Sequence, residues 1–200
     1  MQQAQPRQRG CAALDGATHN HALLGGSAAC IATYPGDFAV ALAAFDAVVE
    51  TGTRWMPVAD FFLLPGDTPQ REFALEPGEV ITALCIPDSA AARRSTYLKL
   101  RDRASYEFAS VSVAAGLALG ADGRIAALRL ALGGVATIPW RLRAVEAALI
   151  GEIPTPALLR EASALAMRGA APRADNRHKL ALAPRLVHRA IEQLLQGEAA

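Results

Sequence analysis

From Thr96 to Gly133 apolar and polar residues alternate or run apolar in three stretches, near Thr96–Arg101, Phe108–Leu119 and Ile125–Gly133. This period-two pattern predicts three β-strands. Gly120-Ala-Asp-Gly123 supplies a turn between the last two, so consecutive strands should pair antiparallel. After Pro139 the period lengthens: Leu142, Val145, Ala148 and Leu149 recur at helical spacing until Gly151 stops them. A second helix is predicted over about Pro156–Arg168, and a third from Pro184, read as a first-turn proline, to near Gly197. Three strands followed by three helices make one compact α+β unit.

The first half is patterned differently. Pro35-Gly-Asp37 opens a helix, with Asp37 as its cap and Ala39, Leu42, Ala43 and Phe45 to Ala47 as its apolar face. Val48-Val-Glu50, the turn Thr51-Gly52-Thr53 and Arg54–Val58 predict a hairpin, followed by a short helical turn over Ala59–Phe62. The loop Pro65–Pro69 and the turn Pro77-Gly-Glu79 precede a strand over Val80–Ile86. Cys11–Ile31, rich in Gly, Ala, His and Cys, reads as loop rather than core, and the Gln-rich residues 1–10 as a disordered start. A loss of apolar pattern near Asp88–Arg94 marks a boundary, giving a first unit over 11–90 and a second over 91–198.

Composition narrows the function classes. Apolar residues make up 52% and charged residues 20% of the 200, which is globular rather than disordered. Lys+Arg number 20 against 19 Asp+Glu, so the net charge of +1 offers no general field for nucleic acid or an anionic membrane. No apolar run reaches the roughly 20 residues of a membrane span, and the first ten residues lack the apolar core of a signal peptide. Three cysteines argue against a disulfide framework. A cytoplasmic location is expected.

Candidate chemistry concentrates in Lys99, Arg101, Asp102 and Arg103, a polar cluster between two predicted strands that suits an anion. Arg101 and Arg103 alternate onto one face with Tyr106 extending the group, while Asp102 points away or pairs with an arginine. Cys11 and Cys30 form no metal motif by spacing alone, since an iron–sulfur cluster takes four ligands. His19 and His21 read as solvent-exposed, and Cys85 as core. Gly133-Gly134 meets a backbone need; no lysine or hydroxyl follows as a phosphate loop requires. No Ser/His/Asp set or carboxylate pair stands out.

The stretch Tyr97-Leu-Lys-Leu-Arg-Asp-Arg-Ala-Ser-Tyr106-Glu-Phe-Ala-Ser-Val-Ser-Val-Ala-Ala115, with Ala131-Leu-Gly-Gly-Val-Ala136 and Pro139-Trp-Arg141, resembles the flavin-binding medium subunit of the molybdenum hydroxylases, the family of xanthine and carbon monoxide dehydrogenases. Within the family it looks most like the subunit of bacterial aldehyde oxidoreductases. The resemblance covers Cys11 to about Gln196 and implies the C-terminal part of a PCMH-type FAD-binding domain, then a three-stranded antiparallel sheet with a three-helix bundle. It implies that the glycine-rich half holding most of the FAD pyrophosphate has no counterpart here. The implied function is electron transfer between iron–sulfur clusters and FAD, beside a molybdopterin-binding large subunit and a [2Fe–2S] small subunit. The other reading is a truncated subunit that binds no FAD alone and serves as an interaction domain. On the resemblance Asp37 hydrogen-bonds the flavin, Ile81 touches its ring, and Lys99 and Arg103 tune it, a fixed cation favouring the anionic reduced ring. Cys11 and Cys30 resemble the last two ligands of an inserted [4Fe–4S] loop, the other two being absent from this chain. Export with a partner subunit would make the location periplasmic instead.

Overall fold

The structure, a computed structural model, describes residues 13, 14 and 16–197. The expected disordered start over 1–10 and the candidate ligand Cys11 lie outside the described residues. The element order is α1 (Asp37–Ala44), β1 (Val48–Thr51), β2 (Trp55–Pro57), α2 (Val58–Phe61), β3 (Ile81–Cys85), β4 (Ser95–Leu100), β5 (Val111–Leu119) and β6 (Ile125–Gly133). It continues with β7 (Trp140–Arg141), α3 (Arg143–Leu149), α4 (Pro156–Ala164), a 3₁₀ turn (Leu165–Met167) and α5 (Lys179–Gln196).

Two antiparallel sheets result, one ordered β2-β1-β3 and the other β4-β5-β6-β7. The period-two stretches form the second sheet, in a register that sets Tyr97 opposite Ala114 and Lys99 opposite Ser112. Its fourth strand was not expected: Trp140 and Arg141, which follow Pro139 where the helical period was read to begin, pair with Leu132 and Ala131 before α3 begins. One face of this sheet, including Val111, Val113, Leu128, Leu130 and Leu132, packs on the three C-terminal helices in the main core. Leu23 and Leu24 join that core, which corrects the reading of residues 11–31 as loop alone. Leu23 N donates to Val135 O at 2.8 Å and Ala171 N to Leu23 O at 2.7 Å, so an irregular segment is buried with its backbone satisfied.

The opposite face carries small residues and is covered by α1. Val40 and Ala44 sit on Ala114 and Ala131. A Cβ at Gly133 would stand 2.6 Å from Val40 Cγ2, and one at Gly116 would stand 2.6 Å from Phe45, so these glycines let the helix lie close. The other side of α1, through Ala39 and Leu42, packs on β1, β2 and α2 in a second core. Both units of the chain therefore meet on one eight-residue helix. The hairpin turn Thr51–Arg54 is anchored by Glu79, which accepts from Thr51 Oγ1 at 2.7 Å and Arg54 Nε at 2.8 Å.

Three local expectations are corrected. The third helix begins at Lys179 and Pro184 lies inside it. A buried stripe of Ala183, Leu186, Val187, Ala190 and Ile191 outweighs the single bond that proline removes. The second helix ends at Ala164 and tightens into the 3₁₀ turn. Cys85 is only partly buried, because β3 is an edge strand with one face uncovered. Among the described residues no helix is long and apolar enough to cross a membrane.

Candidate functional site

A cleft of about 910 Å³ opens where the two units meet. One wall is the segment from Asn20 through Asp37, and the other is the end of β4 with the following loop, residues 101–110. The volume lies within the 300–1,000 Å³ usual for small-molecule sites.

Asp37 is the centre of its polar network. The sequence assigns it to the helix cap, but Gly36 holds the cap position, Asp37 is the first helical residue and no side chain caps α1. Stronger donors claim the carboxylate. Lys99 Nζ donates to Oδ2 at 2.6 Å and the Tyr97 hydroxyl donates to Oδ1 at 2.9 Å. The Tyr97 oxygen also lies 2.9 Å from Ser112 Oγ. Charge-assisted bonds of this kind are about twice as strong as neutral ones. Burial first, and the neighbouring Asp37 carboxylate, push the Tyr97 phenol well above its ordinary value, so it remains a donor. Tyr97 and Lys99 share a face because they are two apart on a strand; that alternation was available in the sequence, but Tyr97 was given no role.

Strand β4 ends at Leu100, so the alternation expected to carry Lys99 on to Arg101 and Arg103 stops there. Arg103 lies in the turn of the loop, where its guanidinium donates to the Tyr106 carbonyl and its amide to Glu107 Oε2 at 2.8 Å. It does not line the cleft. Neither does Ile81, which is 42% exposed on edge strand β3. Asp102 pairs with no arginine among the described residues: its oxygens accept from Ser110 Oγ at 3.1 Å and face His19 Nε2 at 3.3 Å, and the His19 ring, then Ser110, hold its carboxyl below the usual range. Tyr106, at φ 51°, and Phe108 project their rings from this loop with exposures of 94% and 70%.

The sequence reading missed the back of the N-terminal wall. His21 lines the cleft, yet its Nδ1 is buried and has no partner among the described residues. Its carbonyl accepts from Asn176 Nδ2 at 3.3 Å and lies 3.5 Å from Lys179 Nζ. His19 stacks on His178 with ring centroids 4.5 Å apart. Lys179 is fully buried, and nothing in its helical spacing distinguishes it from a surface lysine. Burial lowers it from 10.5 to about 8, the Asp102 charge opposing the shift. The unfolded chain therefore binds a proton that the folded chain lacks between those two values. The stability of the unsubstituted chain, measured against Lys179→Met by urea unfolding, is expected to rise as pH climbs through that window and to level off above it.

Cys30 is partly buried, and its Sγ accepts from Ala32 N at 3.3 Å. Among the described residues no three His, Cys, Asp or Glu side chains gather as a metal site.

Comparison with known proteins agrees with this arrangement. Residues 12–89 match the model of the FAD binding domain in molybdopterin dehydrogenase, and residues 95–194 match that of the CO dehydrogenase flavoprotein C-terminal domain. Over 145 residues the chain is 50% identical to the aldehyde oxidoreductase FAD-binding subunit PaoB of Escherichia coli (strain K12), a match covering 70% of this chain and 44% of that protein. Quinoline 2-oxidoreductase of Pseudomonas putida 86 superposes with a TM-score of 0.68 at 26% identity, covering 92% of this chain and 60% of that one. Carbon monoxide dehydrogenase of Hydrogenophaga pseudoflava, in a form lacking the Mo-pyranopterin moiety, gives 0.70 at 26% identity, covering 83% and 58%. The match thus spans less than half the length of that Escherichia coli subunit. Asp37 falls in the first matched domain and Lys99 in the second, so the ion pair at the cleft joins them. The chain belongs to the FAD-binding subunit family of the molybdenum hydroxylases, with the CO dehydrogenase flavoprotein C-terminal domain following an FAD-binding domain of the molybdopterin dehydrogenase type.

Proposed function

We propose that this chain is an FAD-binding, electron-transfer part of a molybdenum-containing hydroxylase of the aldehyde- or xanthine-oxidising kind. Substrate oxidation then belongs to a molybdopterin-binding large subunit, and a [2Fe–2S] small subunit delivers the electrons. One observation carries the reading: Asp37, Tyr97 and Lys99 form a closed polar network beside two exposed aromatic rings, in a cleft where an FAD-type domain meets its C-terminal neighbour. The residues fit a planar, hydrogen-bonding ring. Tyr106 and Phe108 offer faces to stack on, Asp37 and Lys99 offer an acceptor and a cation, and the unpartnered His21 Nδ1 offers one more polar atom.

FAD, when bound, supplies the carrier that accepts electrons and hands them on. The chain's own work is to fix the ring and set its electrostatic surroundings. Tyr97 holds the Asp37 carboxylate in one orientation, and Lys99, its side chain 22% exposed, keeps a positive charge beside the cleft. Arg103, outside the cleft, acts on the loop by securing the Tyr106 carbonyl. Ile81 acts from the neighbouring sheet, outside the cleft. Cys11 and Cys30 would supply two of the four ligands of a [4Fe–4S] cluster, the other two coming from outside this chain.

The test is reconstitution of the purified chain with FAD, followed by absorption and fluorescence. Bound flavin with quenched fluorescence is expected. A folded protein that stays colourless and leaves FAD fluorescence unchanged would favour a non-binding interaction domain.

A further inference from the structure

Lys179 stands out from every other lysine and arginine among the described residues because it alone is buried, with 0% exposure. Its partners among the described residues are backbone dipoles: Nζ donates to Gly134 O at 2.8 Å and lies 3.5 Å from His21 O. Burying an ammonium without a carboxylate in contact is unfavourable, and an apolar side chain of similar length would fill the same space. Packing therefore does not account for a lysine here.

Its position suggests what does. His21, whose carbonyl it faces, lines the cleft, and so does Asp102, whose charge acts on it through space. Among the described residues the lining carries Asp37, Asp102 and Glu107 against a single cation, Lys99. Lys179 is the second cation, set behind the wall where salt screens it little.

Resting on the FAD reading above, we propose that Lys179 is a positioning residue: it holds a buried positive charge behind His21 and Asp102 that favours bound FAD in its reduced, anionic form. Two electrons from a reductant and one proton from solvent turn the neutral oxidised ring into one with a single negative charge. A fixed cation stabilises that product more than the starting state, and raises the potential.

The full chain loaded with FAD is titrated with dithionite against a reference dye. Lys179→Met is expected to lower the preference for reduced over oxidised FAD by roughly tenfold, equivalent to about 30 mV for a two-electron couple, and Lys179→Arg to restore most of it. A folded Lys179→Met variant that binds FAD at an unchanged potential overturns the inference and leaves the proposed function standing. Failure of the unsubstituted chain to take up FAD overturns both. If Lys179→Met does not fold, the unsubstituted chain decides the matter through the slope of potential against pH. Lys179 faces the His21 carbonyl and feels the Asp102 charge, and Asp102 is linked in turn to His19, His178 and Asp175, so the charge-retaining Lys179→Arg is the control. A steeper fall setting in near pH 8, absent in Lys179→Arg, supports the inference; a slope that matches Lys179→Arg overturns it.

Discussion

Replacing Glu146 by alanine is expected to destabilise the chain by roughly 3–5 kcal/mol, the range for stripping one partner from a buried ion pair. Glu146 is 4% exposed and does two jobs at once. Its Oε1 accepts from Leu130 N at 2.8 Å, next to the β6–β7 pairing, and from Arg141 Nε. Arg141 in turn donates to Ala43 O at 2.7 Å and to Asp46 Oδ1 at 2.8 Å, just past the end of α1. Removing Glu146 leaves a buried amide without an acceptor and a largely buried guanidinium with one carboxylate fewer. Glu146→Gln keeps the acceptor for Leu130 and should lose about half as much. Urea unfolding followed by circular dichroism separates the two, and equal losses in both variants would show that the charge contributes all of the effect.

Asp37→Asn is expected to weaken FAD binding about 10- to 100-fold while leaving the fold intact, since a hydrogen bond to a charged group is worth about 1.5–3 kcal/mol. Asp37 lies partly exposed at the first turn of α1, and the buried Ala39, Val40, Leu42 and Ala44 keep the helix folded and packed without its charge. The substitution leaves Lys99 without its counter-charge and lets the Tyr97 hydroxyl turn wholly toward Ser112. Tyr97→Phe removes only the orienting bond and should cost about tenfold or less, a neutral hydrogen bond being worth about 0.5–1.5 kcal/mol. Fluorescence-quenching titrations measure both. An Asp37→Asn chain that binds FAD as the unsubstituted one does would remove the network from the binding site.

What the sequence made legible followed from period and punctuation. The three long strands of the second sheet and the helix over Arg143–Leu149 declare themselves because alternation, turn glycines and helical spacing all agree. Pro184 misled: a proline at a helix start is usual, but a strong apolar stripe carries the helix five residues further upstream. Leu23 and Leu24 were hidden because a buried irregular segment has no period to read. In the candidate site, Asp37 and Lys99 are legible through resemblance, and the two-residue spacing of Tyr97 from Lys99 places it on the same strand face. The pairing of Asp102 with His19 joins residues 83 apart in sequence, and the burial of Lys179 follows from the packing of α5 on β5, so no local signal could announce either.

Helix α1 is tethered at both ends to the second unit. Asp37 at its first residue is held by Lys99 and Tyr97, and Asp46, two residues beyond its end, is held by Arg129, Arg141 and Arg143. A rod fastened at both tips cannot swivel on the sheet beneath it. The two cleft walls accordingly arrive already aligned, and a ligand seated between them is spared the entropy of drawing two halves together.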